Sequence, residues 1–496
     1  MSFIPLPDPD PAILKRRVQI ARSLAKIAPE AVFIEDEEGR QAYETDAHTA
    51  YHQIPLLVIL PSSTKEISQL LAYCHAENIQ VIARGAGTSL CGGAVPTSDA
   101  VVIGLSRMRR ILDINYENRT ARVECGVTNQ GLSDALSDKG FFYAPDPSSK
   151  IACTIGGNVA TNAGGAHCLK YGVTTHNVLG VKMVLMDGDI IDVGGEGLDS
   201  NGYDLLGLIH GSEGQLGVVT QITVRILRKP EMVRPMLIGF NSAKEAGYCV
   251  SAIITSGMIP AALEFMDKRA IHICENYARV GYPLDVEALL IIEVEGSENE
   301  INLQFDHVRE IVAKFAPRTV RVAQNDEETE KIWKGRQSVS GAMGQLSDYY
   351  CLDGVIPISR LADVLGWVDH ICRHHDFEVA NVFHAGDGNL HPLILYDANN
   401  EEELLRAQQC GAELLRLCVK AGGCLTGAHG IGIEKRELMR DQFSELDLAQ
   451  QTRIKSVFDP QWLLNPAKVF PLDAPGRGGI EADIAEISLP GGESER

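Results

Sequence analysis

The chain has 496 residues, 45% hydrophobic and 22% charged, which is too long for one ordinary core and apolar enough to bury two or three. A formal net charge of −21 with no basic run excludes a large nucleic-acid surface, so no nucleic-acid partner is expected. Twelve cysteines without a single C-x-x-C exclude zinc ribbons and ferredoxin-like iron–sulfur runs and fit reduced thiols in a cytoplasmic protein.

The N-terminus, Met1 to Pro11, has no basic region followed by an apolar one, so no signal peptide is visible. The longest apolar runs, such as Leu56 to Leu60, fall far short of the ~20 residues of a spanning helix. Leu14, Val18, Ala21 and Leu24 stand at helical spacing and predict an amphipathic helix over 11–28. From Leu56 the pattern alternates: a strand to Leu60, a helix from Thr64 to Glu77, a strand Val81 to Ala83, then the glycine loop Arg84-Gly85-Ala86-Gly87-Thr88-Ser89. That loop lacks the third glycine of G-x-G-x-x-G, because Leu90 stands there, and no Walker lysine follows. It remains able to present consecutive backbone N–H groups to a phosphate.

Between about 100 and 230, short β-branched runs such as Val101 to Ile103 and Val218 to Ile226 are separated by glycine-rich stretches. The densest runs from Thr154 to Gly165, after Pro145, Asp146, Pro147 and Ser148 and before Lys170-Tyr171-Gly172. So many glycines cost backbone entropy, and close approach to a flat or phosphorylated cofactor accounts for them better than packing does. His210 to Val219 repeats the style, a glycine turn feeding a β-branched strand, and the three clusters are expected to line one groove.

Pro230 and Pro235 bracket a composition shift, and residues 236–324 alternate again between strands and helices. The helix from Ile301 carries Ile301, Phe305, Val308, Val312 and Phe315 as one stripe, predicting an α+β unit with helices on one face of an antiparallel sheet. A helix Glu328 to Ser338 carries Arg336, which on its own reads as a surface arginine. In an apolar stretch from Val379 to Leu395, His384 and His391 flank Asp387-Gly388, a strong two-residue hairpin signal that would set the two imidazoles directly opposite each other. They could hold a metal or a substrate between them, or be core-edge histidines bonded to backbone. A third histidine, His429, stands in a glycine-flanked loop, Thr426 to Gly432, free to point into a cleft. After Leu472 the sequence is glycine-rich and acidic, and a disordered tail over 473–496 is expected.

In combination, the run Arg84 to Leu90, Pro145 to Ser148, Ile155 to Gly165, Gly211 to Gly214, the histidine hairpin and Leu464-Asn465-Pro466 resemble the FAD-linked oxidases of the vanillyl-alcohol-oxidase (PCMH) type. Within them the chain is most similar to the branch of glycolate oxidase FAD-binding subunits, D-lactate dehydrogenases and D-2-hydroxyglutarate dehydrogenases, over residues 10–472. The resemblance implies an α+β chain: a helical extension over 1–51, a two-part PCMH-type FAD-binding domain over 52–230, and a ferredoxin-like cap or substrate domain over 231–472 that ends in a helical segment. It assigns pyrophosphate binding to Gly85, Gly87, Thr88 and Ser89, and flavin lining to Pro145, Asp146, Ser148, Gly156, Gly157, Asn162 and Gly165. Arg84, Ala86, Gly172, Val219 and Asn465 join the cofactor set. Thr88 stands where some relatives attach FAD through a histidine, which implies noncovalent FAD.

For the substrate, the resemblance implies that Arg336 grips a 2-hydroxy-acid carboxylate, that His429 is the general base, and that His384 and His391 complete the catalytic face. Metal-dependent relatives add a glutamate to the two hairpin histidines, and Ala428 stands in its place, so a divalent ion would be short of ligands. Tyr349 to Asp353 lacks the lysine that contacts longer diacids, which argues for a short substrate, glycolate or D-lactate. With no iron–sulfur motif, electrons are expected to leave through a second FAD-type subunit and an iron–sulfur subunit, a quinone chain or a diffusible acceptor, with the protein cytoplasmic or peripheral on the inner membrane through those partners. A flavin-binding assembly subunit with impaired catalysis is the alternative of another class.

Overall fold

The computed structural model describes residues 6–197 and 202–474. The tail expected after Leu472 lies, apart from Asp473 and Ala474, outside the described residues. The alternation from Leu56 folds as predicted: strands Leu57–Leu60, Val101–Gly104 and Val81–Arg84 pair in parallel, and Val32–Ile34 adds an antiparallel edge. Parallel strands covered on both faces need continuous apolar runs, and Val101, Val102 and Ile103 are all buried. The crossing helix Thr64–Ala76 starts where Ser63 accepts a hydrogen bond from the Glu66 amide, and it buries Ile67, Leu70, Leu71 and Cys74.

The helix expected over 11–28 is broken into Pro11–Lys15 and Arg17–Ile27. Its buried stripe is Ile13, Ile20, Ala21 and Leu24, while Leu14 and Val18 are exposed. Both stripes share Ala21 and Leu24, and periodicity alone does not choose between two adjacent apolar faces.

A second, antiparallel sheet runs Ile111–Asn115, Thr120–Glu124, Val218–Arg225, Val178–Val184, Ile190–Gly194. It shares one core with the parallel sheet, and that core also takes in Leu463 and Leu464. The segment around Leu464 thus returns to the first unit: the Val81 amide donates to the Leu463 carbonyl at 2.9 Å and the Asn465 amide to the Val81 carbonyl at 2.7 Å.

The largest sheet runs Thr319–Val322, Met232–Phe240, Ala288–Gly296, Ala262–Asp267, Val379–His384, Asn389–Tyr396, Asp348–Cys351. In the first four strands, the first and third in chain order are central and all neighbours are antiparallel, the ferredoxin-like arrangement. Helices Ala243–Thr255 and Glu298–Val312 pack on one face. The opposite face is covered by Lys268–Ala278 and Asp326–Gln337, so helices lie on both faces and not on one. The continuous run Leu289-Leu290-Ile291-Ile292, buried throughout, is the physical sign of a doubly covered strand.

Candidate active site

The histidine hairpin forms with a register other than the expected one. His384 is opposite Asn389 and Val382 is opposite His391, so the connection is the four residues 385–388. A type I′ turn needs positive φ at both central residues, and of Asp387 and Gly388 only Gly388 has it, at 79°. Tertiary bonds hold the wider turn: the Gly386 amide donates to the Leu263 carbonyl and the Ile356 amide to the Gly388 carbonyl, both at 3.0 Å. Because side chains alternate with period two, a slip of two residues leaves both histidines on one face as diagonal neighbours. Their ring centroids are 5.0 Å apart and the rings perpendicular.

His429 joins them, its ring stacked on His391 at 5.3 Å. Its loop is wrapped around one buried carboxylate. Asp353 Oδ2 accepts from Thr426 Oγ1 at 2.6 Å and from the amides of Gly427, Ala428 and His429 at 3.0, 3.0 and 2.8 Å. Burial would raise the Asp353 carboxyl, but His429 and Lys435 outweigh it and hold it well below the usual range. The loop is also tied to the first unit. Ser89 Oγ donates to the His429 carbonyl at 2.9 Å, and the carboxylate of Glu213 accepts from the amides of Ile431 and Gly432 at 2.6 and 2.8 Å.

Electrostatics separates the three imidazoles. Burial, then His384 and His429, push His391 down to about 3, and its Nδ1 sits 3.0 Å from the Leu352 carbonyl, leaving Nε2 as an acceptor. Burial also holds His429 below the ordinary imidazole value, and its buried Nδ1 has no hydrogen-bond partner. For His384, burial acts downward but the adjacent Glu264 carboxylate, 2.8 Å from Nδ1, prevails and raises it. Arg336 is buried, not at the surface. Its Nε and Nη2 both meet Glu264 Oε2, at 2.8 and 2.6 Å, so that edge of the guanidinium is already occupied.

The three histidines and Ala428 line a cleft with a cavity volume of about 230 Å³, together with residues of all three glycine clusters. Of the expected cofactor residues, Gly85, Ala86, Gly87, Thr88, Ser89, Ser148, Gly156, Gly157, Val219 and Asn465 line it, and the three glycine clusters share one groove as expected. Arg84, Pro145, Asp146, Asn162, Gly165 and Gly172 stand behind its wall. The Arg84 guanidinium donates to the Thr45 carbonyl, the Pro145 carbonyl accepts from Asn129, Asp146 pairs with His167, and Asn162 Oδ1 accepts from the Thr175 amide. A Cβ on Gly165 would sit 2.3 Å from the Asp146 carbonyl oxygen, and Gly172 ends the short helix Cys168–Tyr171, so these glycines serve packing after all. At Gly157 an added Cβ would meet only Thr154 Oγ1, so the backbone there is bare toward the cleft, a cradle suited to a flat cofactor. The groove fits FAD.

The donor set for a metal fits less well. His384 and His391 offer Nε2, but Ala428 has no donor, and two imidazoles fall short of the three protein ligands of a catalytic zinc site. Asp353, His391 and His429 also come within 4.8 Å of one another. Asp353 Oδ2 is committed to the loop amides and has the Lys435 ammonium 3.7 Å away, which makes this an internal cluster and not an open cage. Glu264, Asp353 and Glu213 are the residues that sequence reasoning missed. A lone acid inside an apolar strand, as in Ala262-Leu263-Glu264-Phe265-Met266, was the available signal.

Two family models match the chain: an FAD binding domain over residues 55–194 and the C-terminal domain of FAD linked oxidases over 229–469. The glycolate oxidase subunit GlcD of Escherichia coli (strain K12) is 44% identical over 94% of this chain and 92% of its own length. A D-lactate dehydrogenase of Anaerostipes hadrus is 31% identical over 91% of this chain and 97% of its own. Among solved structures, p-cresol methylhydroxylase with substrate bound superposes with a TM-score of 0.79 at 16% identity, over 94% of this chain and 98% of that one, which speaks for the fold.

Proposed function

Because the chain belongs to the family of FAD-linked oxidases, we propose that it is an FAD-dependent dehydrogenase that converts a short (R)-2-hydroxy acid, glycolate before D-lactate, to the 2-oxo acid. The observation that carries this reading is the convergence of His384, His391 and His429 on one cleft that the glycine loops also line. FAD, when bound noncovalently beside Thr88, supplies the acceptor for the hydride on the substrate Cα. His429 takes the hydroxyl proton: burial keeps it neutral near pH 7, and Asp353 fixes the backbone that carries it. His391 accepts through Nε2 and orients the hydroxyl, while His384, with Arg336 behind it, supports the carboxylate end.

No helix among the described residues is long and apolar enough to cross a membrane. In this reading electrons pass to an FAD-type or iron–sulfur partner subunit or a quinone chain at the inner membrane. Anaerobic mixing with glycolate or D-lactate should bleach the ~450 nm band of the protein-bound flavin; no bleaching by either acid would remove this reading. Ala428 favours a second one, a flavin-holding assembly subunit. Turnover that persists after chelation of divalent ions excludes it.

A further inference from the structure

Glu264 lies inside the strand Ala262–Asp267, its side chain wholly buried, and its register partner on the next strand is His384. One oxygen, Oε1, is 2.8 Å from His384 Nδ1. The other, Oε2, accepts from Arg336 Nε at 2.8 Å and lies 2.6 Å from Nη2. A carboxylate removed from water is strongly disfavoured unless its lone pairs are met by donors, and here both oxygens are met by the two residues assigned to the acid-binding face. His384 lines the cleft, whereas Glu264 and Arg336 do not. Glu264 therefore has no route to a bound acid except through its two partners.

We propose that Glu264 is a positioning residue of the hydroxy-acid site, joining Arg336 and His384 into one unit. Facing an acceptor, His384 Nδ1 keeps its hydrogen, and Nε2 is the nitrogen left for the cleft. On the other arm, Oε2 occupies the Nε edge of Arg336, so the guanidinium acts from behind His384 as a fixed positive charge. A carboxylate that served only to join strand and helix would need neither the cross-strand histidine nor a partner in the cleft wall. The proposal rests on the function proposed above, since it assigns the face that Glu264 organises.

The test uses the FAD-loaded full chain and its Glu264→Gln, Glu264→Asp, Arg336→Lys and Glu264→Gln/Arg336→Lys variants. Flavin content and thermal unfolding report the fold; anaerobic stopped-flow with glycolate and D-lactate gives the limiting rate of flavin reduction and the half-saturating concentration. Loss of an orienting partner of this kind typically costs about 10–100-fold in activity, and that drop in limiting rate is expected for Glu264→Gln at unchanged flavin content. Glu264→Asp should recover part of it, and the double variant should be no slower than the slower single, because the residues act as a unit. A Glu264→Gln protein that unfolds earlier yet reduces its flavin within two-fold of wild type overturns the proposal, as do effects that simply multiply in the double variant. If Glu264→Gln fails to hold flavin, Glu264→Asp decides, since it keeps the charge but retracts it from both partners; a wild-type rate there overturns the proposal. Wild type unreduced by either acid removes the functional reading and this one together, whereas reduced wild type with unaffected variants removes only this one.

Discussion

At the residue scale, the site's character comes from burial acting on identical side chains. His384, His391 and His429 are one chemical group in three electrostatic settings, raised by Glu264 in the first case and lowered by desolvation in the other two. His48 gives the cleanest test of this. It is buried edge-on between Tyr51 and Tyr350, and desolvation, with Lys435 and His429 adding to it, lowers it to about 3. The unfolded chain binds a proton at His48 below pH 6.5 and the folded chain does not until about 3. Stability contributed by this group is thus full above 6.5 and lost as pH falls toward 3, with a slope of about 1.4 kcal/mol per pH unit. Comparing holoprotein stability at pH 7 and pH 5, the His48→Asn variant should lose less than wild type does. Equal losses would show that the imidazole titrates normally.

Whether such a residue could be found from sequence depends on what surrounds it. His384, His391 and His429 were legible because glycines and β-branched runs frame them. Glu264 and Asp353 were not, because a buried acid is recognisable only once its donors are placed, and those lie 72 and 120 residues away for Glu264 and more than 70 away for Asp353.

At the element scale, strands and helices were legible to within a few residues wherever apolar periodicity was unambiguous, as in Thr64–Ala76 and Val218–Arg225. The hairpin turn was not, because Asp-Gly chemistry competes there with the neighbouring strand. Gly388 packs so closely that a Cβ would lie 2.0 Å from the Ile356 carbonyl oxygen, and its φ is 79°. Gly388→Ala should therefore lose at least about 1 kcal/mol, read as a lower denaturation midpoint, together with slower flavin reduction as the histidines shift. Unchanged stability would mean that the turn can relax without moving the sheet.

At the scale of the whole molecule, the candidate active site is shared between units that the sequence separates. The His429 loop follows the largest sheet, yet its amides end on Glu213 and its carbonyl on Ser89 and Cys91, all from the part of the chain that precedes that sheet. Glu213→Gln would present an NH2 group to one of those amides. The loss of a charge-assisted bond, about 1.5–3 kcal/mol, should lower FAD retention through gel filtration and slow flavin reduction by about 10-fold or more. A variant that keeps both at wild-type levels would show this staple to be dispensable.

The sequence by itself determined the class of chemistry. Glycine loops able to lie against a cofactor, two histidines about an Asp-Gly pair, a third in a glycine-framed loop and the absence of iron–sulfur spacing are local patterns, and local patterns survive without a fold. The tertiary structure alone decided which of those residues face the cleft, that Arg336 is held by Glu264, and that residues 463–465 close the first unit. Those outcomes depend on burial and on hydrogen bonds between residues far apart in sequence, and desolvation has no value until the chain has folded around the group.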